Sequence, residues 1–252
     1  LENIFSMKTC LIKQPAGIGD ILFCQKIAKT IQEETDYEKI IWPVSSQYAY
    51  LSQYLIENGI EYPLETEDFL HKEIYNSGNL YMIQTDNLLF VPLHTCDRIE
   101  QKCKCHNDHR AHGHMKYNFC NIEYTNWKDY FNINRNLVRE DALIQRLKLN
   151  INEPYNVINN HAGTYPNYDT SDIIPNNNYR NVYMEFIDGV NIFDWMGIFE
   201  NAKEIHTMEC GVYYILEKMN LNDVFIYTKY KNQNDNFSYM KDHCNQKWRY
   251  IN

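Results

Sequence analysis

The chain has 252 residues and a formal net charge of −9, from 24 Lys and Arg against 33 Asp and Glu. That length supports one large α/β domain or two lobes that bury about 70–75% of the unfolded surface, so no disulfide or metal is needed for stability. The acidic balance argues against a general phosphate-backbone binder, and no nucleic-acid partner is expected. The sequence holds neither a run of about 18 apolar residues nor an apolar signal core, so no membrane span is expected and a cytoplasmic protein is.

The six residues before Met7 are expected to be an expression remnant. Thr9 to Lys13 is apolar enough for a buried strand, and Pro15 to Asp20 supplies turn residues. Ile21, Leu22, Ile27, Ala28 and Ile31 then recur at helical spacing, with Lys26, Lys29, Gln32 and Glu33 placed to face water. Lys39 to Val44 reads as a second strand. Tyr48 to Asn58 reads as a helix closed by Gly59, where positive φ is expected. The alternation of strand and helix predicts a parallel sheet covered by helices.

Leu80 to Ile83 and Leu88 to Leu93 read as strands, and the His- and Cys-rich stretch that follows reads as a polar loop. Lys128 to Asn136 is the expected crossing between lobes, and Glu140 to Leu149 a helix. After Pro154 the pattern restarts. Asn156 to Asn160, Val182 to Phe186, Glu204 to Met208 and Val224 to Tyr227 are the expected strands, with Asn191 to Asn201 and Val212 to Met219 as helices. Residues 161 to 175 read as a long loop. Trp127, Trp195 and Trp248 are expected to be structural.

Three turns follow strands and carry the candidate chemistry. Gly17-Ile18-Gly19-Asp20 lies where open α/β sheets place ligands, and glycine permits close backbone approach. The alternative is a tight turn with Asp20 favoured by the helix dipole. A third glycine near Leu22 and an acidic residue ending the second strand are both missing, which excludes a dinucleotide fingerprint, and no phosphate-binding P-loop exists. His161-Ala162-Gly163-Thr164 offers a hydroxyl and backbone NH groups to phosphate oxygens, or is an ordinary turn. Glu209-Cys210-Gly211 precedes a helix, where NH groups suit a diphosphate and Glu209 suits sugar or ribose hydroxyls.

Eight cysteines at irregular spacing are expected to be reduced thiols. His94, Cys96, Cys103, Cys105, His106, His109, His112 and His114 crowd one segment. Cys103-x-Cys105 is shorter than a zinc knuckle, and no second pair completes four ligands. No metal site is expected there; a zinc-organised interaction module is the alternative.

Together the three turns resemble the family 9, heptosyltransferase-like glycosyltransferases. Lys13 to Phe23, KQPAGIGDILF, is similar to the family's first strand-turn-helix. His161 to Thr164 is similar to its donor-phosphate loop, and Ile192 to Tyr214 resembles the helix, strand and turn that close its donor site. In this chain Glu209 stands for Asp, Cys210 for Thr, and Tyr213 and Tyr214 for Ser and His.

The resemblance implies a GT-B-like α/β fold of two Rossmann-like lobes with a cleft between them, residues 7–135 on the acceptor side and 136–252 binding a nucleotide-sugar. It implies inverting transfer of a sugar to a glycan or glycoconjugate hydroxyl, with no catalytic metal or other cofactor. Asp20 is then the general base, and Gly17, Gly19, His161, Gly163, Thr164, Glu209, Cys210 and Gly211 bind the donor. A non-catalytic sugar- or nucleotide-binding protein with a degenerate form of the same fold is the alternative from another class.

Overall fold

The computed structural model describes residues 7–14, 17–93, 112–161, 173–227, 244 and 247–251. Contacts gather the chain into two compact units, Leu1–Asn134 and Arg135–Asn252.

The first unit opens on β1 (Thr9–Lys13), whose Cys10, Leu11 and Ile12 are completely buried. β2 (Lys39–Ile41), β3 (Ile60–Glu61), β4 (Ile83–Gln84) and β5 (Leu88–Pro92) complete a sheet of order β3-β2-β1-β5-β4. All its pairs are parallel except β4 with β5. The parallel strands are apolar almost throughout because helices and loops cover both faces. Leu11, Ile41, Tyr75, Leu88 and Phe90 form one core cluster.

The expected first helix is two helices. α1 (Ile18–Phe23) and α2 (Gln25–Glu34) meet at Cys24, whose φ of −85° and ψ of 5° leave the α region. Buried Gln25 explains how the break is tolerated: its Nε2 donates to the Ile21 carbonyl at 3.0 Å. Its Oε1 accepts from Asn58 Nδ2 at 3.1 Å and Tyr62 Oη at 2.8 Å. Lys26 does not face water as its position predicts. It is buried, donates to the Thr125 carbonyl at 2.7 Å and sits 4.8 Å from the Tyr130 ring centroid.

The expected helix 48–58 is likewise fragmented, into the short α3 (Leu51–Tyr54) between two 3-10 turns, but Gly59 does adopt φ +68°. β2 stops before Pro43, which lacks the amide a strand needs, and pairing resumes as a single bridge from Val44 to Leu64. α4 (Lys72–Asn76) follows. α5 (His112–Phe119) is a helix where a polar loop is expected through this segment. Its almost alternating polar and aromatic residues hide any apolar stripe.

In the second unit α6 (Leu137–Arg146) begins three residues earlier than its apolar spacing suggests, because Asn136 caps it: Oδ1 accepts from Arg139 N–H at 3.2 Å. β6 (Tyr155–Asn159), β7 (Arg180–Tyr183), β8 (Glu204–Met208), β9 (Val224–Tyr227) and β10 (Arg249–Ile251) form a wholly parallel sheet of order β10-β9-β8-β6-β7. β9 is therefore not the last strand, and β7 ends before Phe186, which is 96% exposed. α7 (Met196–Asn201) follows a 3-10 turn held by an Asn191–Asp194 capping box, and α8 (Val212–Lys218) follows β8. Trp127, Trp195 and Trp248 are all buried. No helix among the described residues is long and apolar enough to cross a membrane.

Candidate functional site

In each sheet one strand has neighbours whose connections run to opposite sides. β1 lies between β2 and β5, and β6 lies between β7 and β8. At such switch points the loops leaving the carboxyl ends diverge and open a crevice, the usual ligand position in parallel α/β sheets. All three candidate turns leave these strands: residues 14–20 leave β1, residues from Asn160 leave β6, and 209–211 leave β8.

Gly17 is the exposed N-cap of α1, and its carbonyl accepts from Asp20 N–H at 3.1 Å. Its φ of −72° and ψ of 178° are open to any residue. A Cβ there would meet only Tyr48 Oη, at 3.4 Å. Neither backbone conformation nor packing therefore calls for glycine. Gly19 is buried within α1.

Asp20 lies in the first turn of α1, with its side chain 34% exposed and ion-paired through Oδ1 to Lys116 of α5. Lys116 is 11% exposed. Tyr48 bonds the Ile18 backbone N–H beside the turn. Burial holds its phenol above the ordinary value, the Ile18 bond opposes that, and the Asp20 carboxylate adds to it. Gln14, on the other side of the turn, is 3% exposed, and neither its Nε2 nor its Oε1 has a hydrogen-bond partner among the described residues. Enclosing an amide in this state is unfavourable by about 1–3 kcal/mol unless water or a ligand completes it.

In the second unit Asn159, at the end of β6, ties two candidate turns together. Its Nδ2 donates to Thr207 Oγ1 at 2.9 Å and to Cys210 Sγ at 3.1 Å. Its Oδ1 accepts from His161 N–H at 3.3 Å. His161 and Cys210 are thereby gathered onto one amide, while Ala162, Gly163 and Thr164 lie outside the described residues. Glu209 is 2% exposed and its N–H donates to the Tyr227 carbonyl at 3.0 Å, so the turn is anchored to β9. Gly211, the N-cap of α8, has φ −58°. Tyr213 and Tyr214 are buried with ring centroids 4.0 Å apart, so they pack inward.

The residues from His94 to His109 lie outside the described region. Of that segment, His112 opens α5 and the His114 ring stacks on Tyr124 with centroids 4.0 Å apart. Among the described residues no group of three or more His, Cys, Asp or Glu is arranged to hold a metal ion. Cys10, Cys24, Cys120, Cys210 and Cys244 are not in disulfides, and burial pushes the thiol of Cys120 up to about 12.

Sequence reasoning missed Lys116, Tyr48, Gln14 and Asn159. Lys116 meets a residue 96 positions away, which no local pattern reveals. Asn159 did leave a signal, because it is a polar side chain in a strand buried along its whole length.

No protein-family model matches the chain, and none of the curated proteins matches it. Among solved structures it is similar to the glycosyl transferase family 9 structure from Veillonella parvula, with a TM-score of 0.59 and 10% identity over 98% of this chain and 87% of that one. A weaker likeness, TM-score 0.48 at 10% identity, covers 88% of this chain and 58% of the dodecameric iron-containing heptosyltransferase TibC, a structure in complex with ADP-D-beta-D-heptose. In fold, over nearly its whole length, the chain is similar to a family 9 glycosyl transferase.

Proposed function

We propose that the chain is a glycosyltransferase that moves a sugar from a nucleotide-sugar to a hydroxyl of a glycan or glycoconjugate, with inversion and without a catalytic metal. The observation that carries this reading is the placement of Asp20: a part-exposed carboxylate at the carboxyl end of β1, beside a switch point, in a fold similar to that of a family 9 glycosyl transferase. In the proposed step the acceptor oxygen bonds to the anomeric carbon and passes its proton to Asp20. The bond from that carbon to the diphosphate oxygen breaks, and the leaving diphosphate keeps the electron pair.

The donor is assigned to the second unit. Backbone NH groups of Gly163, Thr164 and Gly211 stabilise its diphosphate as fixed dipoles, which need no reorganisation when charge develops. His161, Cys210 and the Asn159 amide complete that side, and Glu209 anchors the turn. Gly17 and Gly19 leave room for ligand atoms at the first unit. The cleft between lobes implied by the sequence resemblance is part of the same reading.

The test is a thermal-shift screen over nucleotides and nucleotide-sugars, followed by transfer assays with the donors that raise the melting temperature. Asp20→Asn should lose transfer by about 100-fold or more while keeping the donor-induced shift. Full transfer by that variant removes Asp20 as base. A chain stabilised by no nucleotide-sugar removes the donor assignment.

A further inference from the structure

α5 meets α1 through one helical face. Gly113, Lys116 and Tyr117, at spacings of three and four, all contact it. Gly113 supplies closeness, since a Cβ there would come 2.8 Å from Phe23 Cε1, inside any real contact. Tyr117 supplies direction: its hydroxyl donates to the Phe23 carbonyl, and its ring meets that of Phe23 edge-on with centroids 5.0 Å apart. Between them Lys116 reaches Asp20, one turn before Phe23 on α1, and pairs with Oδ1. Phe23 is itself completely buried and edge-packed on Trp127 at 5.3 Å. The helix that carries Lys116 thus has a fixed platform.

We infer that Lys116 is a positioning residue for Asp20, held at working distance by the close approach of Gly113 to Phe23. This rests on the assignment of Asp20 as the base. An aspartate on a helix surface turns about two side-chain bonds, and proton transfer needs one oxygen aimed at the acceptor hydroxyl. The ammonium at Oδ1 fixes the carboxylate and leaves Oδ2, which has no hydrogen-bond partner among the described residues, to receive the proton. The ammonium does not touch the acceptor in this account, so its loss should slow the chemical step without weakening the donor.

The experiment uses the full chain in two measurements. A double-mutant cycle on melting temperature with Asp20→Asn and Lys116→Met reads the pair without any substrate. Non-additive losses are expected, and additive ones overturn the pair. Transfer kinetics with a donor from the nucleotide-sugar screen then read its role. Lys116→Met should lower kcat about 100-fold, the usual cost of a misplaced catalytic group, with donor KM unchanged. Lys116→Arg should recover kcat to within about 10-fold of wild type, because the positive charge is kept. Gly113→Ala, which pushes α5 away from Phe23, should mimic Lys116→Met in kcat.

A rise in donor KM at unchanged kcat, or failure of arginine to recover the rate, overturns the positioning role. If Asp20→Asn itself transfers at the wild-type rate while the melting cycle still shows coupling, the proposed catalytic step falls. Lys116 is then left as a structural partner only.

Discussion

Gly17→Ala separates a glycine kept for the fold from one kept for a ligand. At φ −72° alanine adopts the same conformation without strain, and its methyl would make only an ordinary contact with Tyr48 Oη at 3.4 Å. Restricting the unfolded chain stabilises by about 0.4–1 kcal/mol. Alanine is a poorer N-cap than glycine, and that loss, a few tenths to about 1 kcal/mol, is of opposite sign. The net change should lie within about 0.5 kcal/mol of zero. For a chain of this size that is a melting shift of at most about 2 °C. Transfer should nonetheless fall about 10-fold or more, because a methyl stands where ligand atoms approach the backbone. Scanning calorimetry and a transfer assay on the same preparation decide the matter. A loss of several degrees makes Gly17 a structural residue, and unchanged stability with unchanged transfer refutes ligand approach at this turn.

Asn159→Ala removes the amide that binds Thr207, Cys210 and the His161 N–H, and should cost about 1–3 kcal/mol by urea unfolding and reduce the melting shift caused by a donor. An undiminished donor shift would detach this amide from the donor side. Arg135→Met should cost about 3 kcal/mol, because it strands the buried Glu140 carboxylate that Arg135 grips with two nitrogens. Arg135→Met with Glu140→Gln should recover part of the loss, and full additivity in the unfolding assay would contradict the pairing. Stability should also fall on acidification through His206. Burial lowers its pKa from 6.5, outweighing the opposing Glu204 contact. The unfolded chain therefore binds more protons as pH falls below about 6.5, and stability present above that value declines toward the folded pKa. His206→Gln should flatten this part of the melting-temperature profile between pH 7 and 5, and an unchanged slope assigns it to other groups.

Much of the fold was legible where residue type and burial coincide. β1, β5 and β9 are mainly apolar runs of the kind a sheet covered on both faces requires, while β6 and β8 carry buried polar residues among their apolar ones and are marked by β-branched and aromatic residues between turns. The failures share a physical cause. β3 and β10 are two and three residues long and exist because a neighbour is already in place. The helix break at Cys24 depends on Gln25 reaching back to Ile21 and across to Asn58 and Tyr62, a network no 3.6-residue period records. The same period points Lys26 to water, yet Thr125 and Tyr130 arrive from about 100 residues downstream to cover it.

The candidate site divides along the same line. Gly17, Asp20, His161 and Cys210 follow strands, so their position at the carboxyl edge of a sheet was readable once the strands were. What surrounds them was not. Gln14 has no distinctive neighbours in sequence, and only its burial with no partner among the described residues marks it. Lys116 belongs to a stretch without apolar periodicity, and only the approach of α5 to α1 gives it meaning. Turn residues of an α/β site are encoded locally, by the need to leave a strand and start a helix. The groups that orient those residues come from wherever the packing delivers them. The turn after β8 follows the same rule: Cys210, which stands where the sequence resemblance implies threonine, receives a hydrogen bond from Asn159 at the end of β6. A sulfur accepts that bond more weakly than a hydroxyl oxygen, so on the donor assignment proposed above a change of donor preference should be sought first at this turn.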